Sequence, residues 1–206
     1  VCLAVRESIV RALGPDGIVP EHISARLLKV RVMFKHRTAT TFIVGYAPTE
    51  TEATCHKSKF WKELRSTVAE VPASEHLILM MSANARTGGR GDGGGLGDAR
   101  GLGPYSRDTL NDNGSRLLAC APEYKLSVVQ TFFSTPKRGG NSDAFTYEGP
   151  KESHRWRLDY ILVRPHDRRL IRNITVHPKI KSDHRLVSAS NRLLGRTAPN
   201  RRRRPE

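Results

Sequence analysis

The segment His76-Leu77-Ile78-Leu79-Met80-Met81 does most to narrow what this chain can fold into. It is too short for an isolated helix, and its apolar residues fill both alternating sets of positions, so as a strand it must be covered on both faces. A strand covered on both faces requires layers above and below its sheet. The run Arg157-Leu158-Asp159-Tyr160-Ile161-Leu162-Val163 makes the same demand, interrupted inside it by one carboxylate, Asp159. A carboxylate entering a core strand is costly unless a partner meets it.

Other elements follow from period and punctuation. Residues 27–34 alternate as a half-buried strand, and 40–46 form a more buried one that Pro48 ends. Thr49-Glu50-Thr51-Glu52 offers a capping box, after which Phe60, Leu64, Val68 and Val71 recur at helical spacing to about residue 70, where Pro72 stops the helix. Asn111-Asp112-Asn113-Gly114 caps a second helix carrying Leu117, Leu118 and Ala121, ended near Pro122. Further strands are expected at 126–131, 145–148, 157–163, 174–176 and 186–189, with 77–81, 157–163 and 186–189 central. Two helices among seven or more strands is an α/β layered pattern. Residues 88–103 hold nine glycines in sixteen positions, the composition of a mobile surface loop.

Charge divides the chain unevenly. Thirty-five Lys and Arg against twenty Asp and Glu give +15; residues 1–150 carry 19 basic and 15 acidic side chains, whereas residues 151–206 carry 16 and 5. Such a concentration favours polyanions, with nucleic acid the expected partner. Residues 1–194 read as one domain, and 195–206, with Arg201, Arg202, Arg203 and Arg204, as a disordered tail that binds phosphates by charge alone. The three cysteines are too few and too scattered for a disulfide framework or a zinc knuckle, and no run is long and apolar enough to span a membrane. The expectation is an intracellular protein, nuclear or cytoplasmic.

Chemistry is sought at strand ends, where a rigid element can aim a side chain into a cleft. Asp183-His184 has the most content, because an imidazole titrating near neutrality can donate to a phosphate oxygen or shuttle a proton. Adjacent strand residues point to opposite faces, so a carboxylate from another segment must orient His184, and Asp159 is the candidate.

In order and spacing, Tyr46-Ala47-Pro48, Asn84-Ala85-Arg86, Asn111-Asp112-Asn113-Gly114, Arg157-Leu158-Asp159-Tyr160-Ile161-Leu162 and Ser182-Asp183-His184 resemble the endonuclease/exonuclease/phosphatase superfamily. Within it the chain looks most like retrotransposon-derived endonuclease domains of the craniofacial development protein 2-like kind, echoed by Leu117-Leu118, Thr131-Phe132-Phe133 and Trp156-Arg157-Leu158-Asp159-Tyr160. The resemblance implies a two-sheet sandwich flanked by helices, of the DNase I type, acting as a Mg²⁺-dependent phosphodiesterase on nucleic acid, with DNA the expected substrate. By that similarity His184 stabilises phosphate oxygens or manages a proton, Asp159 orients it, and Tyr46 and Asn84 hold the phosphate or the attacking water. Asp183 completes the metal side, while Thr146 and Ser182 meet the phosphate.

Two departures qualify this. The family's strand motif is Gly-Asp-Phe-Asn-Ala, against Met81-Ser82-Ala83-Asn84-Ala85 here, so Ser82 stands where the carboxylate belongs. A hydroxyl without a neighbouring base replaces neither a proton acceptor nor an anionic ligand. Residues 1–6 also resemble the middle of the family's domain, so strands carrying an Asn and the metal-binding Glu are expected ahead of Val1, and that upstream segment is expected to complete the fold. The sequence thus predicts an endonuclease-like domain with little or no hydrolysis, with a non-catalytic nucleic-acid-binding module, working through the basic C-terminal section, as the alternative.

Overall fold

A computed structural model of the protein describes residues 1–33, 38–89, 101–106, 109–134, 137–138, 141–142, 145–150, 154–177 and 182–192. Helix α1 (Glu7–Leu13) leads into the antiparallel pair β1 (Ile18–Ser24) and β2 (Leu27–Val32), followed by β3 (Thr40–Tyr46), α2 (Thr54–Ala69) and β4 (His76–Ser82). Helix α3 (Asp112–Glu123) precedes β5 (Ser127–Val128) and a tight 3₁₀ turn over Val129–Phe132. Short strands β6 (Lys137–Arg138) and β7 (Asn141–Ser142) pair together, as do β8 (Tyr147–Glu148) and β9 (Arg155–Trp156). Then come β10 (Asp159–Val163), the short α4 (Pro165–Arg168), and the pair β11 (Ile171–Val176) and β12 (Val187–Asn191).

Six strands form the main sheet in the order β1-β2-β3-β4-β10-β5, antiparallel throughout except for β3 and β4, which the α2 crossover makes parallel. The continuous apolar character of β4 has a direct cause. Leu77, Leu79 and Met81 face a core shared with Phe60, Trp61, Leu64 and Val68 of α2 and Leu117, Leu118 and Ala121 of α3. Ile78, on the opposite face, packs with Ile161 and Val163 against Ile171 and Ile174 of β11, with Val187 and Ala189 of β12 alongside. Burying each such side chain contributes about 1.5–3 kcal/mol, so the alternation of β4 between two cores fixes its register strongly. At the β2 end the second face is covered instead by Leu13 of α1, against Leu28, Val30 and Val32. The architecture is therefore α/β: a mixed sheet with α2 and α3 on one face, and α1 and the β11–β12 pair on the other.

Several expectations change. Strand β12 is not central; among the described residues it pairs with β11 alone, and its alternating half-burial reflects a strand with one apolar face. The strand expected at 126–131 breaks after Val128, because Gln130 takes over the ladder with its side chain, accepting from Ile161 N at 3.1 Å and donating to Asp159 O at 3.3 Å. The capping box closes a turn ahead of α2: Glu52 Oε1 accepts from Thr49 N at 2.9 Å, while the helix itself starts at Thr54 behind Ala53. The glycine-rich segment is not wholly a surface loop. Leu102 is buried against Val128, and Gly101 adopts φ +69° where an added Cβ would lie 2.0 Å from Leu126 O, so only glycine lets the backbone approach there. Residues 90–100, and the tail 195–206 with Arg201–Arg204, lie outside the described residues. No helix among the described residues is long and apolar enough to cross a membrane.

Candidate functional site

Register builds the site before any side chain is considered. Tyr46 pairs with Ser82 across β3 and β4, and Ser82 pairs with Asp159 across β4 and β10. Directly paired residues project to the same face, so Tyr46, Ser82 and Asp159 form one cross-strand row at one end of the sheet. They continue the face that carries Ile78, Met80 and Ile161, beyond the part covered by β11 and β12.

Asp159 meets its partner at this end. His184 Nδ1 lies 2.8 Å from Asp159 Oδ2, the oriented-imidazole arrangement in which the ring's second nitrogen is left for other work. The hydrogen bond to Asp159 raises the His184 pKa above its usual value; partial burial opposes this, and the charges of Asp159 and Asp183 add to the rise. Ser182 Oγ accepts from His184 N at 3.1 Å and so shapes the turn that presents the ring. Asp183 is exposed, with its carbonyl accepting from Glu148 N at 2.8 Å.

Thr146 is placed otherwise than the phosphate role requires. It is fully buried, and its Oγ1 accepts from both Leu158 N and Asp159 N at 3.0 Å. Those two backbone groups enter β10, so Thr146 sets the position of Asp159 and is walled off from a phosphate. Asn84 lies just beyond β4 in the left-handed region at φ 48°, which Asn tolerates better than most residues. Its flanking Ala83 and Ala85 are fully buried, and its Nδ2 donates to Ala47 O at 2.8 Å, tying together the loops after β3 and β4. Tyr46 is exposed, with the Arg26 guanidinium 5.4 Å from its ring centroid.

The Asn111–Gly114 cap does more than start α3. Asn111 Oδ1 accepts from Gly114 N and Arg86 N, both at 2.8 Å, and its Nδ2 reaches Asn84 O at 3.0 Å. Buried Asn113 accepts from Trp61 Nε1 at 2.9 Å and donates to Pro48 O at 2.9 Å. These amides brace the loops that carry Tyr46 and Asn84. Beside His184 stands an aromatic group that sequence reasoning missed: Tyr147 and Trp156 stack at 5.8 Å, His154 stacks on Trp156 at 5.1 Å, and Tyr147 meets His184 edge-on at 5.2 Å. The Arg86 guanidinium covers Trp156 at 5.1 Å. The only sequence signal was aromatic and His residues at 147, 154 and 156, on a hairpin whose pairing is not visible locally.

The Mg²⁺ implied by the resemblance does not fit these donors. Magnesium asks for carboxylates, whereas the row contributes Asp159, already engaged by His184, and the Ser82 hydroxyl. Ser82 Oγ is buried with no hydrogen-bond partner among the described residues, so no base activates it and the position supplies no negative charge of its own. Among the described residues, three groups able to share a metal do not meet at this end of the sheet.

No protein-family model and no curated protein sequence matches the chain. Solved structures do match. The endonuclease domain of TRAS1, a telomere-specific non-LTR retrotransposon, aligns at TM-score 0.57 and 14% identity, over 87% of this chain and 71% of that one. An AP endonuclease from Archaeoglobus fulgidus aligns at 0.58 and 13%, over 86% and 71%. The 3'-5' exonuclease NExo from Neisseria meningitidis aligns at 0.53 and 15%, over 81% of this chain and 64% of its own. The chain thus shares its fold with these endonucleases and this exonuclease under very different sequences.

Proposed function

We propose that this chain is a retrotransposon-derived, endonuclease-type phosphodiesterase domain that still engages nucleic acid but has lost most or all hydrolysis. The observation that carries the reading is Ser82: it occupies the middle of the row between Tyr46 and Asp159, buried and unpartnered among the described residues. Removing a positioned general base costs about 10²–10⁴ in rate, and the missing anion also removes a metal ligand. What remains is suited to holding a phosphodiester. His184, kept more protonated near neutral pH by Asp159, donates to a phosphate oxygen, and the half-exposed Tyr147–Trp156 pair stands beside it where a base or sugar would rest.

Two measurements on the 206-residue chain test it: cleavage of abasic, nicked and supercoiled DNA with Mg²⁺ or chelator, and binding to the same DNA over a salt series. Salt-dependent binding without metal-dependent cleavage is expected. Cleavage abolished by chelator would show that another carboxylate has replaced the missing one. The second reading, a binding module that works through its basic C-terminal section, is favoured by the 16 basic against 5 acidic residues in 151–206. Deleting 195–206, which removes five of those sixteen, should weaken binding and flatten its salt dependence in either reading; Trp156→Ala separates the two, because it should weaken binding in the first and leave it unchanged in the second.

A further inference from the structure

We propose that His76, His166 and Asp167 form a binding site for a divalent transition metal of the zinc class, at the end of β4 opposite Ser82. The ligand atoms of the three residues all lie within 4.8 Å of one another. His166 Nε2 is 3.3 Å from Asp167 Oδ1. Metal–ligand distances of about 2.0–2.1 Å at tetrahedral angles put neighbouring donors roughly 3.3 Å apart, so this pair already has the spacing of two zinc ligands. His76 Nδ1 is closer, 2.5 Å from the same oxygen, a hydrogen bond that holds one proton between them. A cation displaces that proton, and the ring needs to withdraw by less than about 1 Å to reach ligand spacing.

Donor chemistry selects the metal class. Two imidazoles and one carboxylate suit Zn²⁺ and its transition-metal neighbours; Mg²⁺ and Ca²⁺ prefer oxygen throughout. Electrostatics points the same way. The Asp167 side chain is fully buried, and its ion-pair partners among the described residues are these two imidazoles, which carry charge only when protonated. Arg164 directs its guanidinium to the carbonyls of Val71, Pro72 and Glu75 instead. A divalent cation there supplies the positive charge that a buried carboxylate calls for.

The cluster is held in place by its supports. Leu77 N donates to Asp167 Oδ2 at 3.1 Å, which leaves Oδ1 turned toward the two rings. The Arg164 contacts hold the start of α4 against the turn before β4. Such fixed outer partners are what orient ligands in metal sites. The His166 side chain is 55% exposed, giving the ion an entry path and leaving room for water as a fourth ligand. Bound there, the ion clips α4 to the first residue of β4. His76 and Ser82 are the first and last residues of β4, so at about 3.3 Å per residue the two sites lie roughly 20 Å apart.

The test is titration of the full chain, first stripped by chelator, with Zn²⁺ alone and with Co²⁺ alone. One equivalent should bind, with Co²⁺ giving visible d–d absorption and no thiolate charge-transfer band, and the thermal midpoint should rise with Zn²⁺. His166→Ala, at a half-exposed side chain, should weaken binding at least about a hundredfold and abolish the thermal shift. His76→Gln should do the same. Substituting exposed Cys2 and Cys55 by serine should change nothing. No stoichiometric binding, binding undiminished by His166→Ala, or binding lost with the cysteines would each overturn the assignment.

Discussion

Replacing Thr146 by valine is the sharpest probe of how this fold positions its acid–imidazole pair. Val has nearly the same shape, so packing is preserved while the one oxygen that accepts from Leu158 N and Asp159 N is removed. The Leu158 bond is buried and the Asp159 bond half-buried. An unmet buried donor costs about 1–3 kcal/mol, so the full penalty for one and a reduced one for the other gives about 2–4 kcal/mol in total. For a urea slope of about 2 kcal/mol/M, the unfolding midpoint should fall by roughly 1–2 M. Thr146→Ser keeps the oxygen and loses only a methyl group, and should cost about 1 kcal/mol. Equilibrium urea denaturation of the three proteins, followed by tryptophan fluorescence, reads both effects. A valine variant as stable as the serine variant would refute the reasoning, because it would mean that water or a shifted backbone satisfies the two donors.

Other outcomes follow from the same structure. In an NMR titration His184 should have a pKa above 6.5, and Asp159→Asn should lower it; a pKa raised in the folded state stabilises below the unfolded value and loses that contribution as pH rises through the folded one, so stability from this pair should fade as pH rises above the ordinary imidazole range. An unmoved His184 titration in Asp159→Asn would remove Asp159 as its orienting group. Burial pushes the Cys120 thiol up to about 11, so a thiol reagent at pH 8 should modify Cys2 and Cys55 in the native protein and Cys120 only after denaturant is added. Trp156→Ala should weaken single-stranded DNA binding by about tenfold through lost stacking, and equal affinity would show that the Tyr147–Trp156 stack faces no substrate.

How far the sequence predicted the molecule depended on whether each signal was local. Strands β3, β4 and β10 announce themselves because both of their faces are buried, which writes continuous apolar runs into the chain. The Asp159–His184 contact was also foreseeable, since a carboxylate inside such a run must be met by a partner. Helix α1 and strand β1 were not foreseen. The first is seven residues long, too few for an isolated helix to persist, and the second is an exposed edge strand with Pro20 in it, which erases the alternation. Thr146 and Gln130 were misread for another reason. Each substitutes a side-chain group for a backbone partner, and that need exists only once β10 is in the sheet. Ser182 and Asp183 were placed by motif order alone, and the structure sets both in the exposed turn that presents His184.

The position of β4 between β3 and β10 has a consequence for how the chain is made. Its first partner is supplied early, through the α2 crossover, but contacts such as Tyr160 with Ala85 join positions 75 residues apart. During synthesis at about 5–20 residues per second, one edge of His76–Ser82, among the most apolar strands in the chain, therefore waits several seconds for β10 to emerge. An unpaired apolar edge is a template for other chains. Chains stopped before residue 157 should accordingly sediment as aggregates, while chains continued through β10 should not. Stopped and full-length chains of comparable solubility would mean that the waiting edge is protected by something other than its final neighbour.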